Sequence, residues 1–525
     1  MKIVLSILFV LLLAGVVLVI VTEKGDSGRK IAWLLIVSFL PVAGIILYLL
    51  FGLNFRKKWI YKRRYKKYEE ILEANMTPEL RELLFDNKAL DRVREDFRPL
   101  ASMMYRAALM PVTEGNDIEI MTNGQRKFNM LMRDLERAEH SIHIEYFHFG
   151  TDSGGKAIRD MLMKKAAEGV EVRFLHENIA DFHLFPFYHG AMKKAGVEVR
   201  KFTNPYSHLI NFFTLLNYRN HRKIVVIDGK VGYTGGMNAN NHYFLTWRDT
   251  HMRITGKSVA SLQFIFLSSW LTCKGTLSSP LLSYFPQLGL SGAEAAALDL
   301  STVPVPRAEE EILKLTKGSV PVVSTADALA GKADLSLRNE ILHSKLLQIV
   351  PDETDTTWPV LQMSYEWAIL HAKKYIWIQS PYFVPPESVL NALKTAALSG
   401  VDVRIMTPEN VDTIFLTTCN ASYFEECLQA GVKIYLRGGK FNHSKTFVCD
   451  DYLSSIGTAN LDFRSFDLSH EDNGYIYDEE TALLMKAIYE KDFELCRQLT
   501  LEEWSEQPFH KRFAQSFIRL FAPML

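Results

Sequence analysis

Two long apolar segments open the chain and give it a strong pattern of hydrophobic and polar positions. Ile3 to Val21 is almost wholly apolar, the polar link Thr22 to Lys30 follows, and a second apolar segment covers Ile31 to Leu53. A helix needs about 20 apolar residues to cross the hydrocarbon core of a bilayer, and an internal proline such as Pro41 is tolerated there. The pattern predicts a two-helix transmembrane hairpin over residues 1–54.

Basic residues are concentrated directly after the second apolar segment. They are Arg56, Lys57, Lys58, Lys62, Arg63, Arg64, Lys66 and Lys67. The link between the two segments holds fewer, namely Lys24, Arg29 and Lys30. Because the more basic flank of a membrane helix stays in the cytoplasm, we expect a multi-pass protein with its N-terminus and everything after residue 54 in the cytosol. The basic cluster also suits anionic lipid headgroups.

The rest of the chain alternates between strand and helix patterns, and the alternation occurs twice. Strand, helix and strand are predicted at Ser141–Phe149, Gly155–Glu168 and Val170–Leu175, and again at Tyr375–Tyr382, Glu387–Leu398 and Val401–Met406. Strands that alternate with helices are typical of α/β units. The pattern therefore predicts an α/β fold of two repeats related by pseudo-two-fold symmetry, with a mainly parallel sheet.

Changes of composition place the boundaries between these parts. After the hairpin, residues 55–110 are predicted as a basic juxtamembrane and helical connector, and the first repeat follows at 111–270. Residues 271–337 contain a stretch rich in Ser, Pro, Ala, Gly and acidic residues, which is typical of a connection between repeats. The second repeat takes 338–525, and Phe509, Phe513, Phe517 and Phe521 recur every four residues near its end, which indicates an amphipathic helix.

A duplicated motif carries the candidate chemistry. His221, Lys223, Asp228, Gly235 and Asn238 return with identical spacing as His443, Lys445, Asp450, Gly457 and Asn460, and a carboxylate follows each histidine at the same distance, as Asp249 and Glu471. One His-x-Lys-x4-Asp match is expected by chance about 0.05 times in a chain of this length. Two matches with the same Gly and Asn spacing indicate two similar structural units.

Composition restricts the function classes. Lys plus Arg and Asp plus Glu both number 60, so the formal net charge is zero, which argues against a nucleic-acid partner. The five cysteines show no zinc-ligand spacing and indicate reduced thiols. Each motif brings a lysine where a metal site needs a neutral or anionic ligand. No cofactor and no metal are therefore expected.

Paired histidines and lysines suit the substitution of a phosphodiester. Lys223 and Lys445, with the amides of Asn238 and Asn460, can stabilise negative charge on the phosphoryl oxygens. One histidine can attack phosphorus and form a phosphoryl-histidine, while the other protonates the leaving oxygen.

The acidic residues of the motif have supporting parts in this scheme. Asp249 and Glu471 can each accept a hydrogen bond from the second ring nitrogen of a histidine. Asp228 and Asp450 complete the candidate catalytic set, and their place at a strand end favours anchoring by hydrogen bonds. A single site therefore needs both copies of the motif.

The two motifs resemble those of the phospholipase D superfamily and, within it, the bacterial cardiolipin synthases. The supporting stretches are Asn220–Gly229, Trp247–His251, Ser380–Pro385 and Gly457–Phe466. The chain departs from the pattern at Gly236 and Thr458, where the family often has Ser, and in the divergent region 280–337.

The resemblance implies transphosphatidylation at the cytoplasmic membrane of a bacterium. One phosphatidylglycerol would form a phosphatidyl-histidine and release glycerol, and a second would accept the phosphatidyl group to give cardiolipin. By analogy His221 is the nucleophile and His443 the acid/base, and phosphatidylglycerol and anionic membrane lipids are the partners. A phospholipase D hydrolase, a phosphatidyltransferase with another alcohol acceptor, a nuclease and a lipid-binding scaffold remain as alternatives, and the oligomeric state stays open.

Overall fold

The computed structural model describes residues 2–22, 27–48, 70–177, 180, 187–202, 219–273, 275–288, 341–354 and 356–522. Helices cover Lys2–Thr22, Ser27–Phe39 and Pro41–Leu47 at the N-terminus, and they pack around Trp33 and Tyr48, whose rings meet edge to face at 5.3 Å. Within the described ranges, no helix combines the length and the hydrophobicity that crossing a membrane requires. The predicted basic cluster at 56–67, residues 289–337 of the predicted connection and the first three residues of the predicted second repeat lie outside the described residues.

The body of the protein is built on one long mixed sheet. The first half contributes β1 (Thr113–Met121), β2 (Ser141–Tyr146), β3 (Glu171–His176), β4 (Glu198–Lys201), β5 (Arg219–Asn220), β6 (Lys223–Ile227), β7 (Val231–Gly235) and β8 (His251–Thr255). The second half contributes β9 (Ile341–Asp352), β10 (Tyr375–Gln379), β12 (Asp402–Pro408), β13 (Lys433–Arg437), β14 (Thr446–Cys449), β15 (Leu453–Gly457), β17 (Ser469–Tyr477) and β18 (Cys496–Leu499). The short strands β11 (Phe383–Val384) and β16 (Leu461–Asp462) pair with each other in a separate two-stranded sheet.

The strand order is the same in both halves when it is followed outwards from the centre. One half follows the order β1-β8-β7-β6-β2-β3-β4, and the other follows β9-β17-β15-β14-β10-β12-β13, with β18 added at the edge. The antiparallel pair β1–β9 joins the halves into one sheet. The short strand β5 crosses the boundary between the halves, because it pairs with β17.

The predicted mainly parallel sheet is wrong. Parallel pairing is found for β2–β3–β4 and for β10–β12–β13, which are connected through helices. The strands that carry and follow the two motifs pair antiparallel, as β6–β7–β8 and β14–β15–β17 do. Tight turns at Asp228–Gly229 and Asp450–Asp451 join β6 to β7 and β14 to β15, and a short turn reverses the chain direction.

Helices cover both faces of the sheet. They lie at Pro78–Phe85, Arg98–Ala108, Gly124–Glu136, Ser153–Ala167, Phe187–Lys194 and Ser258–Thr272 in the first half, and at Val360–His371, Glu387–Leu398, Ile414–Ala421, Phe424–Gln429, Phe463–Asp467, Glu479–Glu494, Leu501–Ser505 and Phe509–Arg519 in the second. The predicted helices and strands next to the motifs agree with these bounds to within a few residues.

Successive residues of β6 show how the sheet separates two cores. Val225 and Ile227 join a core formed by the first half alone, whereas Ile224 and Val226 join a core that also contains residues of the second half, such as Val448. Side chains of a strand point alternately to opposite faces, so a continuous apolar strand serves both cores. The shared core fixes the two motif regions relative to each other.

Candidate active site

The backbone places each motif histidine against the opposite half of the molecule. The N–H of His221 donates to the carbonyl of His470 (2.9 Å), and the N–H of His443 donates to the carbonyl of Arg248 (2.7 Å). Each of these carbonyls belongs to the residue just before a motif carboxylate, Glu471 or Asp249. The crossed hydrogen bonds bring both copies of the motif into one site.

The carboxylates pair with the histidines in the same crossed manner. The Nδ1 atom of His221 lies 2.9 Å from Oε2 of Glu471, and the Nδ1 atom of His443 lies 2.7 Å from Oδ2 of Asp249. A carboxylate accepts a hydrogen bond from a protonated Nδ1, which leaves Nε2 of the ring with its lone pair. In each ring Nε2 is therefore the nitrogen that can act as a nucleophile or base. The Nε2 atom of His221 has no hydrogen-bond partner among the residues that the structure describes.

The motif lysines are held by equivalent hydrogen bonds. The Nζ atom of Lys223 donates to the His221 carbonyl (2.6 Å), and the Nζ atom of Lys445 donates to the His443 carbonyl (2.5 Å). Lys445 also lies 3.1 Å from Nε2 of His443. The two ammonium groups thus lie beside the two histidines, where the phosphoryl oxygens of a substrate would need positive charge.

Burial dominates the electrostatics of this cluster. It lowers the pKa of His221 and of His443 well below 6.5, and the neighbouring lysines lower both further. Burial also lowers the pKa of Lys223 to about 8 and that of Lys445 to about 7. The histidines are therefore neutral and able to act as nucleophile or base near neutral pH.

The pKa values of the two carboxylates shift in the opposite direction, upwards. Burial raises the pKa of Asp249 to about 6 and that of Glu471 to about 7, although nearby lysines oppose the change. Charged groups are poorly solvated in this pocket. A bound phosphate would add the negative charge that favours protonated lysines.

Asp228 and Asp450 anchor strands. Asp228 accepts hydrogen bonds from the backbone N–H groups of Glu139 (2.9 Å), His140 (2.7 Å) and Ser141 (2.8 Å), just before and at the start of β2. Asp450 accepts from the N–H groups of Lys373, Lys374 and Tyr375 in the same way at β10. Both aspartates have a φ of 51°, which Asp tolerates better than most residues. Their carboxylates tie the end of each motif strand to its neighbour.

The motif asparagines differ between the halves. Asn238 accepts from the N–H of His148 (3.1 Å) and donates through Nδ2 to the hydroxyl of Tyr243 (2.8 Å). Asn460 donates through its backbone N–H to Ser465 (3.0 Å), and its buried Oδ1 has no hydrogen-bond partner in the described part of the chain.

The departures from the family pattern at Gly236 and Thr458 also have a local explanation. A Cβ atom at Gly236 would lie 2.1 Å from Oδ1 of Asp249, so a larger residue would displace this carboxylate. The carbonyl of Thr458 lies 3.1 Å from Nδ1 of His221 and its hydroxyl contacts Glu471. Asp249, the shorter acidic side chain, thus faces Gly236, whereas the longer Glu471 faces Thr458.

Several residues next to the site are not members of the duplicated motif. Lys127 is buried, donates to the hydroxyl of Tyr146 (2.7 Å), and burial lowers its pKa to about 7. Aromatic rings of Tyr243, Trp247 and Phe441 surround His443. A lone lysine or aromatic residue is too common in a sequence to stand out. Comparing the two halves position by position would have found the aromatic residues.

The described residues contain no group of three or more His, Cys, Asp and Glu side chains that could hold a metal ion. The five cysteines are free thiols. The chemical groups near the two histidines are thus ammonium, carboxylate, amide and phenol groups of the chain itself.

Comparison with known proteins identifies the family. Residues 131–270 and 366–493 match the model of the cardiolipin synthase, PLD-like domain, and residues 7–52 match that of the phospholipase D-nuclease N-terminal region. The chain is 35% identical to the cardiolipin synthase of Geobacillus kaustophilus, covering 97% of this chain and 91% of that protein. It is 34% identical to the major cardiolipin synthase of Bacillus subtilis, covering 100% and 99%.

A solved structure shares the fold. The crystal structure of phosphatidylserine synthase from Haemophilus influenzae matches with a TM-score of 0.52 at 16% identity, covering 81% of this chain and 97% of that one. The family model falls on both halves of the sheet, and the two relatives extend over nearly the whole chain. The chain therefore belongs to the cardiolipin synthase family of phospholipase-D-like proteins.

Proposed function

We propose that the protein is a membrane-bound phosphatidyltransferase that converts two phosphatidylglycerol molecules into cardiolipin and glycerol through a phosphatidyl-histidine intermediate. The observation that carries the proposal is the pair of neutral histidines in one site, each oriented by the carboxylate of the opposite half. Two such histidines suit a double displacement at phosphorus. The full-length similarity to proteins named cardiolipin synthase supports the same substrate class.

The first displacement forms the intermediate. Nε2 of His221 attacks phosphorus, the bond to the glycerol oxygen breaks, and His443 donates the proton that the leaving oxygen needs. Lys223 and Lys445, with the amides of Asn238 and Asn460, stabilise the charge on the phosphoryl oxygens. Because the pKa of free His443 is low, it takes up this proton only when the phosphate adds negative charge nearby.

The second displacement releases the product. The terminal hydroxyl of a second phosphatidylglycerol attacks phosphorus, Nε2 of His443 accepts the hydroxyl proton, and the bond to His221 breaks. The assignment of the nucleophile is supported by exposure, because the His221 side chain is 13% exposed and that of His443 6%. It is also supported by Nε2 of His221 lacking a hydrogen bond in the described part of the chain, whereas Nε2 of His443 lies 3.4 Å from the Tyr243 hydroxyl.

We propose that residues 1–54 attach the protein to the bacterial cytoplasmic membrane as a two-helix hairpin, with the catalytic body in the cytosol. The match of residues 7–52 to the N-terminal family model supports this, as do the exposed apolar side chains of these helices. Labelling of Gly25→Cys, introduced into a variant whose five native cysteines are replaced by serine, by an impermeant maleimide in intact cells tests the topology. Equal labelling of intact and lysed cells supports the hairpin, and labelling in lysed cells alone contradicts it.

The remaining domain boundaries are proposed as the sequence predicts them: connector 55–110, first repeat 111–270, connection 271–337 and second repeat 338–525.

The C-terminal helix Phe509–Arg519 is proposed to lie at the membrane interface. Phe509, Phe513 and Phe517 are 81%, 61% and 53% exposed along one row. A row of exposed aromatic rings flanked by basic residues is typical of interfacial helices.

Lipid mass spectrometry tests the function. Membranes that contain the protein are incubated with phosphatidylglycerol as the sole substrate, with His443→Ala as the control. Cardiolipin and free glycerol that disappear in the control support the proposal. Phosphatidic acid as the main product would identify a hydrolase, and no turnover without another alcohol would identify a different acceptor. Trapping with a slow substrate should label His221, and a label on His443 would reverse the two roles.

A further inference from the structure

The two histidines have different surroundings although the motifs are duplicated. The offset that relates His221 to His443 also relates Arg219 to Phe441, Ser465 to Tyr243, and Ser469 to Trp247. At three matched positions, therefore, the surroundings of His443 are aromatic and those of His221 are polar or charged. The catalytic groups are the same in both halves, so this difference concerns what the two sides of the site bind or exclude.

The three aromatic residues form a continuous wall around His443. The ring centroids of Tyr243 and Trp247 lie 5.2 and 5.4 Å from that of His443, and Phe441 lies 6.1 Å away. Trp247 packs against both other rings, with centroids 4.8 Å from each. We call Tyr243, Trp247 and Phe441 the aromatic wall.

One polar group of the wall reaches the reacting nitrogen. The Tyr243 hydroxyl lies 3.4 Å from Nε2 of His443 and accepts a hydrogen bond from Asn238 (2.8 Å). Burial raises the pKa of Tyr243 well above 10, so the phenol stays protonated and cannot take a proton from an acceptor. The surroundings of Nε2 thus combine the Tyr243 hydroxyl, the Lys445 ammonium at 3.1 Å and aromatic surface.

We propose that the aromatic wall selects the alcohol of a lipid headgroup over water as the acceptor, and so makes this site a transferase and not a hydrolase. The inference rests on the proposed function, in which His443 activates the acceptor. The carbon-bound hydrogens of a glycerol headgroup can pack on the rings, which stabilises the bound alcohol. A water molecule has no carbon-bound hydrogens and gains no such contact.

The two competing reactions differ only in the attacking oxygen. In transfer, the alcohol oxygen forms a bond to phosphorus, the bond from phosphorus to Nε2 of His221 breaks, and Nε2 of His443 takes the hydroxyl proton. In hydrolysis, water attacks with the same bond changes and gives phosphatidic acid. A change in the wall should therefore alter the ratio of the two products more than it alters formation of the intermediate.

The experiment measures this ratio in Trp247→Ser, which introduces the residue type found at the matched position of the other half. Full-length protein in membranes is given phosphatidylglycerol in ¹⁸O-labelled water, and cardiolipin and labelled phosphatidic acid are quantified together. Loss of one apolar contact surface changes discrimination by about 10-fold or more. We expect the ratio of phosphatidic acid to cardiolipin to rise by at least about 10-fold.

Phe147→Ala is the matched control. The Phe147 ring also contacts a motif histidine edge-on, but it contacts His221, at 4.8 Å. The control should change the total rate while the product ratio stays within about threefold of the wild-type ratio. If Trp247→Ser fails to fold, Trp247→Leu keeps an apolar side chain of smaller area and should give a smaller rise in the same direction.

The outcomes separate this inference from the proposed function. If the wild-type protein makes no cardiolipin, the proposed function fails. If it makes cardiolipin and the product ratio is unchanged in the Trp247 variants, the wall does not select the acceptor and the inference is overturned. A ratio that rises equally in Phe147→Ala would also overturn it, because any loosening of the site would then admit water.

Discussion

Replacing Asp228 by Asn should destabilise the protein and leave its chemistry intact. Oδ1 of Asp228 accepts from the N–H groups of His140 and Ser141, and Oδ2 accepts from that of Glu139. Asn keeps one oxygen and turns an NH₂ group towards the third donor. It tolerates the positive φ of 51° as Asp does, so the substitution changes the hydrogen bonds without adding backbone strain.

The magnitude follows from these three bonds. A hydrogen bond to a charged group contributes about 1.5–3 kcal/mol, and a neutral one about 1 kcal/mol. The variant loses one charge-assisted bond and weakens two, which sums to about 3–5 kcal/mol. Because part of this turn is open to solvent, we expect the free energy of unfolding to fall by about 3 kcal/mol. Asp450→Asn should have an effect of similar size, since its three bonds are equivalent.

Denaturant unfolding of the detergent-solubilised protein measures the loss, and lipid mass spectrometry measures activity per folded molecule. We expect the unfolding midpoint to fall in both variants while the turnover of the folded fraction stays within about threefold of wild type. Asp228→Ala should be less stable still, because Ala loses all three bonds and tolerates the positive φ poorly. A variant of unchanged stability that loses turnover by two orders of magnitude would refute the reasoning and give Asp228 a direct part in the chemistry.

Three further predictions concern the site itself. Asp249→Asn should lower kcat by about 10³–10⁴-fold, the loss typical of a His–Asp pair that loses its carboxylate; retention of a tenth of the wild-type kcat would contradict the orientation of His443 by Asp249. In the proposed mechanism Lys445 must be protonated to stabilise the phosphate, and burial lowers its pKa to about 7, so kcat/KM should fall as the pH rises above about 7. Lys445→Arg stays charged and should move this alkaline limb upwards, and an unmoved limb would assign it to another group. Gly236→Ala should reduce kcat at little cost in stability, because the added Cβ displaces the Asp249 carboxylate. A large fall in the free energy of unfolding together with the fall in kcat would indicate a general packing defect instead.

The duplicated motif predicted most of the candidate site, because identical spacing in two halves is a strong signal even in one sequence. It could not predict which carboxylate pairs with which histidine. Asp249 lies at the same sequence distance from His221 as Glu471 does from His443, so both the crossed and the uncrossed pairing fit the spacing. The crossed pairing is decided by the strand β5 and its contact with β17, which join distant parts of the chain.

The direction of the strands was predicted less well than their positions. Helix and strand periodicity near Ser153–Ala167 and Glu171–His176 correctly indicated units connected by helices, and those strands are parallel. The Asp-Gly pair at 228–229 favours a hairpin and hence an antiparallel neighbour for β6, whereas in this half the helix-connected parallel pattern extends only over β2, β3 and β4. The aromatic wall was not predicted because Tyr243 and Phe441 carry meaning only when they are compared with the matched positions Ser465 and Arg219.

The crossed hydrogen bonds have a consequence for the synthesis of the chain. The His443–Asp249 and His221–Glu471 contacts close loops of 194 and 250 residues, and contacts between such distant residues form late and slowly in folding. A growing chain that has exposed His221 has not yet made Glu471 or His443. The proposed nucleophile His221 therefore acquires its orienting carboxylate only after residue 471 of 525 has been made, and the candidate site cannot form on a shorter nascent chain.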